Sequence, residues 1–198
     1  MANIQTKSPL TTQAYLDGEH DSKIKHQLID GDVYAMAGAS ANHERISGNI
    51  YRKLGSHLEN SPCEPFGSDM KVRVRDNFFY PDVLVDCNFD ESEPYFTQTP
   101  VLIVEVLSQS TRKMDEQTKR LEYFNISTLL EYVIIEQDFV DVAVYRKSDD
   151  WRHTNYFLGE DVPLESVGIT LTVEDIYARV QNDEMKKFRE RLIENNNK

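Results

Sequence analysis

The longest helical pattern in the chain begins at Ser40 and extends to residue 60. Four aliphatic residues recur along it at the spacing of one helix face: Ile46, Ile50, Leu54 and Leu58. Ser40 is the predicted N-cap, and an Asn-Ser-Pro sequence after Glu59 ends the pattern. The chain therefore carries one long amphipathic helix in its first third.

Turn signals divide the residues before that helix. Asp30-Gly31 is a strong turn pair, so residues 23–30 and 33–36 predict a β-hairpin. A short helix, capped by Thr11 or Thr12, is predicted to end at Leu16 because a Gly-Glu-His-Asp sequence follows it.

Strand patterns follow the long helix. Residues 70–75 alternate apolar with basic side chains, so one face of this strand would carry Lys71, Arg73 and Arg75. Residues 80–87 contain the sequence PDVLVDC, and residues 100–107 are almost all apolar. Such a continuous run suits a central strand that is covered on both faces. Further strands are predicted at 131–136, 141–146 and 152–157.

Two more helices complete the pattern, one capped by Ser110 and running to about residue 124, the other at 173–180. The order of elements predicts a mixed α/β fold with a central mixed sheet flanked by helices, not a series of alternating βαβ units. Its 198 residues suit one domain, which we place at residues 1–180, followed by a charged C-terminal tail at 181–198.

The composition indicates the cellular compartment of the protein. No apolar stretch approaches the roughly 20 residues that cross a bilayer, and the N-terminus lacks the apolar block of a secretory signal. Cys63 and Cys87 form no CxxC motif and no paired framework, so both are interpreted as small buried residues. We therefore predict a cytoplasmic protein with no membrane partner.

The formal net charge of −12 leaves two interpretations of its partners open. Nucleic-acid-binding proteins usually present a basic face, because neutralising phosphates supplies much of their affinity. Either this chain binds no nucleic acid, or acidic metal ligands lie in a locally basic cleft on an acidic surface. Charge alone favours the first interpretation.

Glu105 is the residue that points most directly to chemistry, because it lies inside the apolar run 100–107. A carboxylate in a buried strand costs several kcal/mol unless it is paired, protonated or bound to a metal. Asp82 begins the earlier apolar stretch, so neighbouring strands would let both carboxylates share a cation. Two oxygen ligands with waters and a phosphate is a common arrangement for Mg²⁺. The alternative is a structural ion pair between Glu105 and Lys119 or an arginine.

Lys119 lies on the helix that follows the Glu105 strand, with Asp115 and Tyr123 on the same face. From there it could reach the carboxylates and neutralise charge that develops on a substrate. The alternative is an ordinary solvated helix lysine.

Six motifs in the same order resemble the Uma-two-type restriction endonucleases, a bacterial branch of the PD-(D/E)XK nuclease superfamily. The resemblance extends from Tyr15 to Val180. The motifs are IDGDVYAMAGAS with NHERI, SDMKVRV, YPDVLV, VLIVEVLSQST, DEQTKRLEYF and SVGITLTVEDIY. A single piece such as the Pro-Asp pair would be a weak signal, whereas all six in order are specific.

The resemblance implies a restriction-endonuclease-like fold and metal-dependent cleavage of nucleic acid. It makes Asp82 and Glu105 the metal-binding carboxylates, with the Val106 carbonyl as a further ligand and Mg²⁺ or Mn²⁺ as the cofactor. The superfamily's lysine position holds Leu107 in this chain, and Lys119 matches the lysine that replaces it in this branch.

The resemblance also implies two accessory positions. Gln27 stands where relatives often carry a glutamate that can contact a metal, so this chain keeps the oxygen and loses the charge. His43 matches a histidine of the branch's long helix, with a helix cap or the core as the alternative. The Ser40 and His43 pair does not form a hydrolase site, because no nucleophile elbow accompanies it.

Our leading functional prediction is a metal-dependent endonuclease that hydrolyses phosphodiester bonds, with DNA as the expected substrate. Lys71, Arg73 and Arg75 are the candidate phosphate-contacting residues; the alternative for them is a solvated strand face. A homodimer is the expected assembly, because cutting both strands of a duplex needs two sites. The rival predictions are a catalytically silent protein of the same fold that acts as a binding or assembly module, and a hydrolase of a smaller phosphate ester.

Overall fold

A computed structural model describes residues 9–108, 112 and 114–196 of the protein. Within that range the helices are α1 (Thr12–Asp21), α2 (Ala41–Leu58), α3 (Arg120–Tyr123), α4 (Val173–Ile176) and α5 (Asp183–Asn196). The strands of the described residues are β1 (His26–Ile29), β2 (Asp32–Ala35), β3 (Glu64–Gly67), β4 (Lys71–Val74), β5 (Asn77–Phe79), β6 (Val83–Asp86), β7 (Phe96–Thr97), β8 (Pro100–Leu107), β9 (Glu131–Glu136), β10 (Val142–Arg146), β11 (His153–Tyr156), β12 (Asp161–Leu164) and β13 (Ile169–Thr172).

Two mixed sheets form the centre of the described molecule. One has the strand order β11-β10-β9-β8-β6-β3, with β8 and β9 parallel and the other pairs antiparallel. The second has the order β2-β1-β5-β4-β7, and its only parallel pair among the described strands is β4 with β7. The predicted mixed α/β class is confirmed, and the second sheet is an addition that the hydrophobic pattern did not indicate.

Alternating side chains of β8 separate two cores. Leu102, Val104 and Val106 pack with α2 on one face of the six-stranded sheet. Ile103 and Leu107 pack on the other face, against side chains of the five-stranded sheet and of α3. A third, smaller cluster joins the outer face of the five-stranded sheet to α1. The layers therefore run helix, sheet, sheet, helix, and β8 is covered on both faces as its apolar run predicted.

The long helix and the hairpin form where the pattern predicted them. The Ser40 side chain accepts a hydrogen bond from the His43 N–H, and the four predicted aliphatic residues of α2 are all buried. At the hairpin turn, Asp30 and Gly31 both have positive φ, at 52° and 83°. This conformation suits the asparagine, aspartate and glycine residues that dominate hairpin turns.

Two helices differ from their prediction. Helix α1 extends to Asp21 instead of ending at Leu16, because the Glu19 carboxylate in its last turn accepts hydrogen bonds from the His26 N–H and the Tyr80 hydroxyl. The helix predicted for residues 111–124 is a π-helix at Met114–Lys119 that continues as α3. Apolar periodicity over so few residues does not distinguish a π turn from an α turn. The predicted cap, Ser110, lies outside the described residues.

The interpretation of the cysteines as unpaired residues is wrong. Cys63 and Cys87 form a disulfide that joins the start of β3 to the end of β6. The two strands pair antiparallel, with Glu64 opposite Asp86, so the residues that flank this pair are brought together. Sequence spacing did not reveal the bond because the pairing of β3 with β6 is a tertiary contact. The cysteines consequently give no support to a reducing compartment.

The C-terminal helix α5 is attached to the larger core. Met185 is buried there, and the Val140 N–H donates a hydrogen bond of 2.5 Å to Glu184. Among the described residues, none of the helices is both long and apolar enough to span a membrane.

Candidate active site

Asp82 and Glu105 lie on neighbouring strands, as the sequence predicted. Strands β6 and β8 pair antiparallel with Val83 opposite Val104, so the same register places Asp82 opposite Glu105. The Asp82 Oδ2 atom accepts a hydrogen bond of 2.6 Å from the Val106 N–H. The aspartate is thereby fixed against the backbone of the strand that carries the glutamate.

Glu105 is held by two side chains from the segment that follows β8. Its Oε1 atom accepts hydrogen bonds of 3.0 Å from the Lys119 ammonium and 3.0 Å from the Tyr123 hydroxyl. Only 2% of Glu105 and 3% of Lys119 are exposed, so this is a buried ion pair. The structure therefore brings Lys119 to the predicted carboxylate, and it adds Tyr123, for which the sequence had predicted a shared helix face and no contact.

His43 contributes a second contact to Asp82. Its Nε2 atom lies 3.2 Å from Asp82 Oδ2, and both side chains are about seven-eighths buried, at 14% and 13% exposure. Because His43 lies in the first turn of α2, this contact links the long helix to the residue that precedes the start of β6. The sequence identified the histidine only by resemblance, and the structure now gives it a partner.

The Val106 carbonyl lies on the open side of β8. Backbone N–H and C=O groups of one strand residue point the same way, and the Val106 N–H points to Asp82. The register of β6 with β8 would place Pro81 opposite Val106, and proline has no N–H to donate. Because Pro81 precedes Asp82, the Val106 carbonyl lacks that ladder hydrogen bond. Its oxygen is therefore available to bind a metal ion.

Gln27 faces the same interior layer. It lies on β1, two residues before Ile29, which packs in the core between the two sheets. Gln27 is 8% exposed, and its Oε1 atom has no hydrogen-bond partner among the described residues. A buried acceptor without a donor is unusual in folded proteins, and a water molecule or a cation would satisfy it.

The oxygen atoms described above are of the type that a hard cation prefers, but few of them belong to charged side chains. In the described parts of the chain, no group of three or more His, Cys, Asp or Glu side chains could hold a metal ion. A site here would rest on Asp82 and Glu105, with the Val106 carbonyl and waters completing the shell. Mg²⁺ is commonly held by one or two carboxylates in this way, so the residues fit the predicted ion.

The predicted open basic face of β4 is absent. Lys71 is buried, with its ammonium 5.2 Å from the centre of the Tyr80 ring, and burial lowers the pKa of this ammonium while the charges of Glu19 and Asp69 oppose the shift. The Arg73 guanidinium lies over the Phe78 ring. These contacts arise because α1 and aromatic side chains cover this face of the second sheet, which a strand pattern alone does not reveal.

Arg75, the third predicted basic residue, lies beyond the end of β4. It is exposed and has a positive φ of 56°, so it occupies the turn between β4 and β5. Of the three, Arg75 alone presents its side chain mainly to solvent.

Comparison with known proteins identifies a family for the chain. Residues 12–174 match the model of the Uma2 family, which is described as "Putative restriction endonuclease". Two uncharacterised proteins of Synechocystis sp., slr1290 and sll1609, are 35% and 34% identical over 173 and 172 residues. The alignments cover 85% and 83% of this chain and 91% and 97% of the relatives.

A solved structure shares the fold. It is a crystal structure described as a "putative nuclease belonging to DUF820" from Anabaena variabilis, with a TM-score of 0.70 and 19% sequence identity. The match covers 87% of this chain and all of that one. The fold of the chain is therefore nuclease-like, and its residues from α1 to α4 place it in a family: this chain belongs to the Uma2 family.

Proposed function

We propose that the protein is a metal-dependent endonuclease that hydrolyses phosphodiester bonds, with DNA as its substrate and Mg²⁺ or Mn²⁺ as its cofactor. One observation carries the proposal: Asp82 is hydrogen-bonded to the backbone of β8 beside Glu105, which has Lys119 on its carboxylate. Two acids and a lysine next to the Val106 carbonyl form a compact set of charged and polar groups that suits a phosphodiester and its metal ion. Membership of a family described as "Putative restriction endonuclease" supports the same class of reaction.

Each residue has a separate role in this proposal. Asp82, Glu105 and the Val106 carbonyl would hold the ion, which when bound supplies a Lewis acid and lowers the pKa of a coordinated water. Lys119 would neutralise negative charge that develops on the phosphate oxygens. His43 orients the Asp82 carboxylate through the contact at 3.2 Å. Because a duplex has two strands to cut, we propose a homodimer as the active assembly.

A catalytically silent binding or assembly module is the second candidate. The buried pair of Lys119 and Glu105 favours it, because this pair satisfies both charges without a metal. The net charge of −12 favours it as well, since it opposes contact with a polyanion.

Cleavage assays separate the two candidates. Purified protein is incubated with plasmid DNA, single-stranded DNA and RNA in Mg²⁺, Mn²⁺ or EDTA. We expect the wild type to cut in a divalent metal and not in EDTA. Asp82→Asn should lose about 10²-fold or more in rate, because it removes the ligand's charge and keeps its size.

Asp76→Asn is the matched control, because Asp76 is an exposed acid in the nearby turn between β4 and β5. It should keep full activity. Wild-type protein that is folded and metal-replete, yet cuts none of these substrates, would decide for the silent module. Equal rates for the wild type and Asp82→Asn would exclude the proposed site.

A further inference from the structure

A cavity of about 310 Å³ opens on the sheet face that carries Glu105. Its floor contains Ile134 of β9 with Ala143 and Tyr145 of β10. Arg120 of α3, Asp141 and Asn155 are among the polar residues at its wall. Small-molecule sites commonly have such volumes, with an apolar floor and a few polar groups at the wall.

The cavity lies on the same sheet face as Glu105, beginning at the neighbouring strand. Glu105 pairs with Ile134, Ile134 with Ala143, and Ala143 with Asn155, so these residues form one cross-strand row on a single face. Neighbouring strands lie about 4.8 Å apart, so the floor begins one strand away from Glu105 and the row spans about 15 Å. Arg120 also follows Lys119 directly in the chain. A nucleotide next to a phosphate at the metal that Asp82 and Glu105 would hold would therefore lie over this cavity.

Flat and aromatic groups line one end of the cavity. The His153 ring lies 4.9 Å from the Tyr145 ring, and the Arg120 guanidinium lies 5.4 Å from the centre of that same ring. Arg120 also donates a hydrogen bond of 3.1 Å to the Tyr145 hydroxyl. Aromatic and guanidinium planes are the surfaces on which proteins stack unpaired bases.

Three acidic side chains and one arginine line the cavity, an excess of negative charge that disfavours a phosphate. Glu116, Glu136 and Asp141 all line the cavity, and Glu136 is engaged by Arg112 through a hydrogen bond of 2.6 Å. The Asp141 Oδ1 atom accepts a hydrogen bond of 2.7 Å from the Asn155 amide. Carboxylate and amide oxygens accept hydrogen bonds from the exocyclic amino groups of cytosine and adenine. The wall therefore suits an uncharged ring that carries hydrogen-bond donors.

We propose that this cavity takes one nucleobase with an exocyclic amino group, turned out of its strand, from the nucleotide next to the phosphate at the metal that Asp82 and Glu105 would hold. The inference rests on the proposed nuclease function, and it adds a base preference to it. The site would read a single position and would favour cytosine, adenine or guanine over thymine, the DNA base that has no exocyclic amino group. Enzymes that turn a base out of a strand are selective for strands in which the base is already unpaired or weakly paired.

Binding of abasic oligonucleotides tests the proposal without cleavage. One single-stranded DNA of defined sequence is compared with a set in which each base in turn is removed, and affinity is measured in Ca²⁺. For the wild type, we expect removal of the base at one position to weaken binding about tenfold, because stacking on aromatic side chains contributes that much per base. A thymine at this position should also weaken binding, by a smaller factor.

Variants of β11 test whether the loss of affinity on base removal arises at this cavity. With His153→Ala and with Asn155→Ala, removal of that same base should change affinity by less than about twofold, because the contacts are already lost. Thr154→Ala is the matched control: Thr154 lies between these residues on the same strand and faces the other side of the sheet. It should retain the full tenfold penalty.

The outcomes separate this inference from the proposed function, which cleavage in Mg²⁺ decides independently. A protein that cuts DNA but shows equal penalties in the wild type, His153→Ala and Asn155→Ala has no base site in this cavity. A protein that binds none of the oligonucleotides would overturn the base site as well. A protein that cuts nothing yet shows the position-specific penalty and its loss in both variants has the base site without the nuclease activity.

Discussion

The pairing of Glu105 with Lys119 reverses a stability effect that the sequence alone suggests. An isolated buried carboxylate predicts that Glu105→Gln raises stability in the absence of metal, because it removes a costly charge. In the structure this change would leave the Lys119 ammonium, only 3% exposed, without its carboxylate. Breaking a buried pair by removing one partner commonly costs about 3–5 kcal/mol, so we expect Glu105→Gln to destabilise the metal-free protein by about 3 kcal/mol.

A double variant tests this explanation. Glu105→Gln combined with Lys119→Met removes both charges, so it should be more stable than Glu105→Gln alone in urea denaturation. Additive losses from the two single changes would show that the charges do not interact. Either single variant gives a weaker test of catalysis than Asp82→Asn does, because its lost activity could reflect lost folding.

Individual residues show where sequence reasoning succeeds. Asp82 and Glu105 were identified from their places in apolar stretches, and Lys119 from its place on the helix that follows the Glu105 strand. The structure gives Asp82 a hydrogen bond from the Val106 N–H and pairs Lys119 with Glu105. The burial of the basic side chains of β4 was not predicted. Alternation along a strand shows which residues share a face, and it does not show which other elements cover that face. Lys71 is the example: it alternates as a solvated residue does, yet Tyr80 and α1 enclose it.

At the scale of elements, Tyr177 ties α4 to the turn between β9 and β10. Its hydroxyl donates to the Glu136 carbonyl at 2.7 Å and accepts from the Asp141 N–H at 3.0 Å. Burial, followed by the charges of Asp141 and Glu136, raises the pKa of Tyr177 far above its ordinary value of 10.0. The folded protein therefore keeps this proton at a pH where the unfolded chain loses it.

The sign of the pH effect follows from that difference. Below pH 10 both states hold the proton, and the full contribution of Tyr177 to stability is present. As the pH rises above 10, Tyr177 ionises only in the unfolded chain, so the free energy of unfolding falls by up to about 1.4 kcal/mol per pH unit.

Tyr177→Phe should be less stable at pH 7 by about 1–3 kcal/mol because it loses these hydrogen bonds, and its stability should fall less steeply between pH 10 and 11. Parallel slopes for the two proteins in denaturant melts would contradict the assignment.

Elements with a long, regular pattern were predicted well, and several of the shortest strands were not predicted. Helix α2 and strand β8 coincide with their predictions because each buries a complete face or both faces. Strands β3, β5 and β7 have only two to four residues, which is too few for a periodicity to be visible. These strands are defined by the neighbouring strands with which they pair in the folded sheet. The hydrophobic pattern of a single sequence does not show which strands pair.

At the scale of the whole molecule, a bound metal should appear as added stability. Mg²⁺ or Mn²⁺ at about ten times its dissociation constant would stabilise the folded protein by roughly 1.4 kcal/mol, because the unfolded chain has no assembled site. For a protein of this size we expect a rise in Tm of about 3–6 °C. The rise should be smaller in Asp82→Asn and unchanged in Asp76→Asn. Equal melting curves with metal and with EDTA would argue that no ion binds the folded protein.

The disulfide between Cys63 and Cys87 turns the strand that leads to Asp82 into part of a covalent ring. With 24 residues of separation, the ring contains β3, β4, β5 and β6, together with Asp82, the proposed metal ligand. Opening it with a reductant should cost about 3 kcal/mol, measured as a lower midpoint in urea, because the unfolded chain regains the entropy that ring closure removed. A protease cut at Arg75, in the exposed turn within the ring, would leave two peptides still joined. Such a nicked molecule would migrate as one band on a non-reducing gel and separate into two only after reduction.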